Sequence, residues 1–168
     1  WNILSLIRKI SKKKKVTLIR GNHDIKAFNI VKILGLDFIE AYELAVNKKM
    51  FLFMHFHQFD SFIKKHPFIT SVAETIYYFF QLLDRSKRVS RWLKRTSKIF
   101  LNVKVKIRQK AIDYIRNKPY DCIIGGHIHF AEVYEQDGKT YANSGSFCDE
   151  PCHYLLIDKE GKVILKEV

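Results

Sequence analysis

The chain has 168 residues, 47% of them apolar and 28% charged, the balance of one globular domain and not of a disordered or collagen-like chain. Thirty Lys and Arg stand against seventeen Asp and Glu, a net charge of +13, so the favoured partner is anionic: a membrane surface, a nucleic acid or a phosphorylated substrate. No apolar run reaches the roughly 18 uncharged residues of a membrane-spanning helix, and three cysteines make no disulfide framework, which points to a reducing, cytoplasmic compartment.

Residue 1 is Trp and not Met, so the chain is expected to be a fragment or a processed form. Asn2 to Ile10 reads as a helix, with Ile3, Leu6, Ile7 and Ile10 at helical spacing. Lys12 to Lys15 is a solvated connection, with no secretory cleavage site before it. Val16 to Ile19 is a short β-prone run that stops at a turn beginning with Gly21. Ile25 to Leu34 is helical again, with Gly35 as its C-cap. Phe38 to Val46 and Met50 to His55 read as two strands joined through Asn47-Lys48-Lys49.

After Asp60 the period changes. Ser71 and Glu74 form a capping box that opens a helix with Val72, Ile76, Phe79, Phe80 and Leu83 on its apolar face. Val89, Trp92, Leu93 and Phe100 mark a second helix, and Ile107, Ala111, Tyr114 and Ile115 a third. Strands resume at Asp121 to Ile124. Two hairpins come next, Glu132 to Asn143 around Asp137-Gly138 and His153 to Val168 around Glu160-Gly161. The outline is a mixed α/β sandwich forming one domain over residues 1–168, with a basic helical insert over 61–119. That insert holds fifteen Lys and Arg against Glu74, Asp84 and Asp113 and carries nearly all of the charge excess.

Three segments put polar side chains just past a strand. In Gly21-Asn22-His23-Asp24, the amide oxygen of Asn22 is a usable ligand for a divalent cation, His23 is placed to donate a proton to a leaving oxygen, and Asp24 is placed to orient that imidazole. The second segment is His55-Phe56-His57-Gln58-Phe59-Asp60, and the third is Gly125-Gly126-His127-Ile128-His129. If the latter is extended, both imidazoles point to one side, so that two nearby cations each take one. Taken singly, Gly-Asn-His-Asp is also an ordinary turn and His-x-His an ordinary strand; three such segments together point to a metal site.

The set resembles the calcineurin-like metallophosphoesterases, whose later motifs appear here as Gly21-Asn22-His23-Asp24, His55, and Gly126-His127-Ile128-His129. The ending at Asp60, the basic insert and Asn143-Ser144-Gly145-Ser146 resemble a narrower branch, the UDP-2,3-diacylglucosamine hydrolase-like phosphoesterases. The resemblance implies a partial four-layer αββα sandwich. It implies that Asn22, His55 and His127 bind one divalent cation and His129 a second, with Mn expected and Fe, Zn or Co compatible. It also implies that His23, aided by Asp24, serves as general acid or charge stabiliser beside a phosphoryl group polarised by two cations. The substrate implied is a phosphorylated lipid or a nucleotide-sugar phosphate, met on an anionic membrane surface that the insert would bind.

Two departures stand out. Phe56 occupies a position where the branch usually carries Gly, so the loop is expected to be reshaped or the site narrowed. The family's opening motifs, D-x-H and G-D-x-x-D, do not occur, so about half of a dinuclear site is expected from these residues. Other readings of the basic segment are a nucleic-acid surface on a nuclease or phosphodiesterase, and a non-catalytic piece with an incomplete site. Cys148 and Cys152-His153 lack a fourth ligand for structural zinc, Cys122 reads as core, and His66 as a loop residue.

Overall fold

The computed structural model describes residues 2–24, 28–60, 98–147 and 150–168. The first helix, α1 (Asn2–Ser11), leads into β1 (Thr17–Ile19), α2 (Phe28–Leu34) and β2 (Asp37–Ile39). β1 and β2 pair in parallel, Thr17 opposite Asp37 and Ile19 opposite Ile39, with α2 as the crossover that parallel strands require. Gly35 closes α2 at φ +65°, and Arg8 of α1 donates to Leu34 O, which ties the two helices together.

The run expected as one strand from Phe38 to Val46 is broken at Glu40, which bends and pairs with Arg20. Residues before the break belong to the β1–β2 pair, and those after it form β3 (Ala41–Val46) of a different sheet. The alternation of side chains breaks there too: Phe38 and Ile39 are both half-buried and Glu40 and Ala41 both exposed, so the two strands keep separate periods.

β3 forms a hairpin with β4 (Lys49–Met54) through Asn47 and Lys48, both at positive φ, the two-residue geometry that suits the twist of paired strands. β5 (Cys122–Gly125) pairs in parallel with β4 on one side and with β7 (Lys139–Asn143) on the other, and β6 (Glu132–Gln136) closes the edge. The resulting five-stranded mixed sheet has the order β3-β4-β5-β7-β6. The β6–β7 hairpin turns at Asp137-Gly138 as expected, and β8 (His153–Ile157) with β9 (Val163–Glu167) forms the last one.

Alternate residues of the central strands face opposite layers. Leu52, Ile123 and Tyr141 pack against Ile107, Ala111, Ile112 and Ile115 of α3 (Lys98–Arg116). Phe51, Cys122, Ile124 and Ala142 face Leu155, Ile157 and Val163 of the β8–β9 hairpin. The layers are therefore helix, sheet and second sheet, a mixed α/β sandwich with its core on both sides of β4, β5 and β7. The third helix expected in the insert is thus a core element. It begins before Phe100, a residue that periodicity alone gives to a separate helix, and it buries Ile112 while Tyr114 is exposed. Lys104 and Arg108 fix α3 to β6 through Glu132 Oε2, at 2.7 and 3.3 Å. The helices expected from Ser71 and from Val89, along with His66 and Cys148, lie outside the described residues. Among the described residues, no helix is long and apolar enough to cross a membrane.

Candidate metal centre

β4 and β5 run in parallel, so the segments beyond them leave the sheet at the same end. His55 comes directly after β4, and Gly126 directly after β5. Between His55 and Asp60 the chain makes a tight 3-10 turn, His57–Phe59. It enters that turn through Phe56 in the left-handed region, at φ +78°. This conformation is a natural place for glycine, which accounts for the Gly that the resemblance leads one to expect there. The Phe56 side chain does not narrow the site. Its ring is fully buried and stacks on Tyr141 at 5.2 Å and 21°. Gly125 makes room for it, since a Cβ there would lie 2.1 Å from Met54 O and 2.8 Å from the Phe56 ring.

Three imidazoles gather above this turn. Ring centroids of His55 lie 5.3 Å from His57 and 5.2 Å from His127, and those of His57 and His127 are 6.5 Å apart. His55 Nε2 faces the Gly21 turn so closely that a Cβ on Gly21 would be 2.9 Å from it. Its Nδ1 is 3.3 Å from His57 Nδ1. Burial first, and then the neighbouring His127 and His57, push the His55 pKa down to about 4, with Asp24 opposing and His129 adding to the fall. His55 is therefore neutral at pH 7, the form in which imidazole binds a metal.

His127 Nε2 lies 3.0 Å from Asp60 Oδ2, both side chains being almost buried. The expectation that His127 and His129 share one side of an extended strand fails. Both take positive φ, 74° and 52°, because β5 has already ended and the chain turns back, with Ile128 N bonded to Gly126 O at 3.0 Å. Ile128, between them, is buried in the α3-facing core, and His129 is exposed. His129 is still close enough for its charge to act on His55.

The Gly21 turn is held by Asp24, whose Oδ2 accepts from Gly21 N at 2.8 Å. Its carboxylate also acts electrostatically on His55. Asn22 Nδ2 donates to His23 Nε2 at 3.0 Å, and His23 is exposed. Asn22 Oδ1 is buried with no hydrogen-bond partner among the described residues. An orphaned buried acceptor costs about 1–3 kcal/mol, which a cation at that oxygen would offset. Amide oxygen and neutral imidazole nitrogen are donors that fit a divalent transition metal. Among the described residues, no group of three or more His, Cys, Asp or Glu side chains is placed to hold a metal ion, so the histidines make at most part of a metal site.

The sequence places His57 and Asp60 in the polar segment past β4 and Asn143 in the Asn143 to Ser146 segment, but gives none of the three a role of its own. Asn143 is wholly buried at the end of β7; its Nδ2 donates to Gly126 O at 2.6 Å and its Oδ1 accepts from Gly145 N at 2.9 Å, fixing the loop that carries His127. The signal for Asp60 is present as an acidic end to an apolar-flanked turn. Cys122 is buried in β5, and its burial pushes the thiol up to about 12.

A mixed sheet backed by a helix, with imidazole, amide and carboxylate groups collected where parallel strands end, defines a metallophosphoesterase-type frame. Residues 2–162 match the calcineurin-like phosphoesterase superfamily domain, and the chain belongs to that family. The family generally binds divalent metals. No curated protein matches the chain. Among solved structures, a novel archaeal phosphodiesterase superposes with a TM-score of 0.54 at 15% identity, over 98% of this chain and 76% of that one, which shows a shared fold. Vacuolar protein sorting 29 from Cryptosporidium parvum matches at a TM-score of 0.47 and 16% identity, over 99% of this chain and 75% of that one. Zinc-complexed Vps29 from Entamoeba histolytica matches at 0.37 and 14%, over 99% and 87%.

Proposed function

We propose that this protein is a metal-dependent hydrolase of phosphate esters or pyrophosphates. The observation that carries the reading is Asn22 Oδ1, buried with no hydrogen-bond partner among the described residues, in a turn that lies against the neutral His55, itself beside the carboxylate-held His127. Asn22, His55, His127 and His129 would hold the metal, with Mn the favoured identity and a pair of ions the favoured number. A bound divalent cation supplies Lewis-acid polarisation of the phosphoryl oxygen and neutralises charge that develops there. His23, exposed beside Asn22, would hold the proton delivered to the leaving oxygen, with Asp24 fixing the turn that presents it.

For the substrate, we propose an amphiphilic or nucleotide-sugar pyrophosphate of the kind cleaved by the UDP-2,3-diacylglucosamine hydrolase-like branch, met at the inner face of a membrane. The net charge of +13 and the motif features at Asp60 and Asn143 to Ser146 support it. The test measures Mn2+-dependent hydrolysis of bis(p-nitrophenyl) phosphate, of a diacylated UDP-sugar and of an oligonucleotide. Preference for the UDP-sugar, lost in His23→Ala by about 100-fold or more with Mn2+ binding intact, is the expected result. Preferential cleavage of the oligonucleotide would favour a nuclease, and no hydrolysis in saturating Mn2+ would refute the enzyme reading.

A further inference from the structure

We propose that Asp60 is a positioning residue that decides which nitrogen of His127 meets a cation; this rests on the reading of His127 as a metal ligand. Asp60 Oδ2 and His127 Nε2 are 3.0 Å apart, with side chains only 11% and 9% exposed. An ionised carboxylate can only accept hydrogen bonds, so the proton of His127 belongs on Nε2. In the neutral ring the lone pair is then on Nδ1. The carboxylate also makes that nitrogen a stronger donor, because it stabilises the positive charge that metal binding draws onto the ring.

The geometry is held from both sides. Asp60 ends a 3-10 turn closed by Phe59 N to Phe56 O at 3.0 Å and Asp60 N to His57 O at 3.1 Å. Phe56 anchors one end of that turn in the core, and Lys110 of α3 donates to Phe59 O at 3.1 Å at the other. On the partner side, Asn143 Nδ2 holds Gly126 O at 2.6 Å, one residue before His127. The imidazole is thus fixed at its backbone by β7 and at its far nitrogen by the 55–60 turn. A purely structural ion pair would need neither a defined tautomer nor an effect on metal affinity.

The experiment uses 15N-labelled protein with wild-type, Asp60→Ala and Asp60→Asn sequences. Long-range 1H–15N NMR of the metal-free protein reads the His127 tautomer, and calorimetric titration with Mn2+ reads the affinity. The expected result is an Nε2-protonated His127 in the wild type and a Kd about 10–100-fold weaker in Asp60→Ala. Asp60→Asn, whose amide oxygen can still accept, should keep the tautomer and lose less affinity; it decides the matter alone if Asp60→Ala does not fold. An Nδ1-protonated His127 in the wild type, or unchanged affinity in the variants, overturns the proposal. Abolished binding in Asp60→Asn with the tautomer retained makes Asp60 itself a ligand and also overturns it. Wild-type protein that takes up no Mn2+ refutes the metal reading itself, and this proposal with it.

Discussion

Phe56 joins two requirements that normally exclude one another, a left-handed backbone and a wholly buried large ring. Removing a buried phenylalanine ring to alanine costs about 3–5 kcal/mol. Holding any residue with a Cβ in the left-handed region costs about 1–2 kcal/mol, which alanine retains and glycine does not. At an ordinary position glycine is worse than alanine by about 0.5–1 kcal/mol, through the entropy of the unfolded chain. At φ +78° the order should invert. Phe56→Ala is expected to lose about 3–5 kcal/mol and Phe56→Gly about 1 kcal/mol less, the strain relieved outweighing the entropy added. Urea unfolding monitored by circular dichroism measures both. In thermal melts the gap should be about 2–4 °C for a domain of this size. If Phe56→Gly is the less stable variant, the left-handed strain is not there. If Phe56→Ala costs under about 1 kcal/mol, the ring is not a core element.

Asn22→Ala should leave the metal-free protein about as stable as the wild type, because it removes a buried oxygen with no hydrogen-bond partner among the described residues along with an exposed bond to His23, while the thermal stabilisation produced by Mn2+ should shrink; a large loss of stability without metal would contradict the orphaned state of Oδ1. The pKa of His55 falls from 6.5 in the unfolded chain to about 4 in the fold, so the unfolded state binds more protons between them. Metal-free stability should therefore be full above about pH 6.5 and decline toward pH 4, and His55→Gln should flatten that decline; parallel pH profiles would count against it. Gly125→Ala would drive a Cβ to 2.1 Å from Met54 O and should disrupt the β4–β5 ends, read as loss of amide-exchange protection at Ile123 and Ile124; unchanged protection would show that the strands have room to spare.

Much of the fold is legible because its signals are local. Asp137-Gly138 specifies a two-residue turn by backbone preference, and the apolar row Ile107, Ala111, Ile115 marks one buried helix face, while the connection expected at Asn47-Lys48-Lys49 is one residue shorter because Lys49 already pairs with Val46. The break at Glu40 is not legible as a change of sheet, because the partners that define it, Arg20 and the parallel pairing to β1, lie about 20 residues earlier in the chain. The site divides in the same way. Gly21-Asn22-His23-Asp24 and the histidine segments announce themselves by residue type. Asp60 and Asn143 act on residues 67 and 17 positions away, His127 and Gly126, so no local spacing marks their roles. The His-x-His geometry differs from expectation because the strand ends at Gly125, two residues before His127, and cannot impose its period there.

The pairing of β4 with β5 has a kinetic consequence. Met50 and Asp121, which meet beside that ladder, stand 71 positions apart. Closing such a loop in a flexible chain costs about 4 kcal/mol in entropy before any contact is rewarded. The outer hairpins can zip within microseconds, but this central joint waits for a distant segment to arrive, as expected for folds rich in long-range strand pairing. His55 and His127 sit just beyond the ends of those two strands, so their approach to 5.2 Å is among the late events of folding. Cation capture at these imidazoles would then report that the central sheet has closed, and a ribosome-bound chain not yet extended past β7 would have no site to fill.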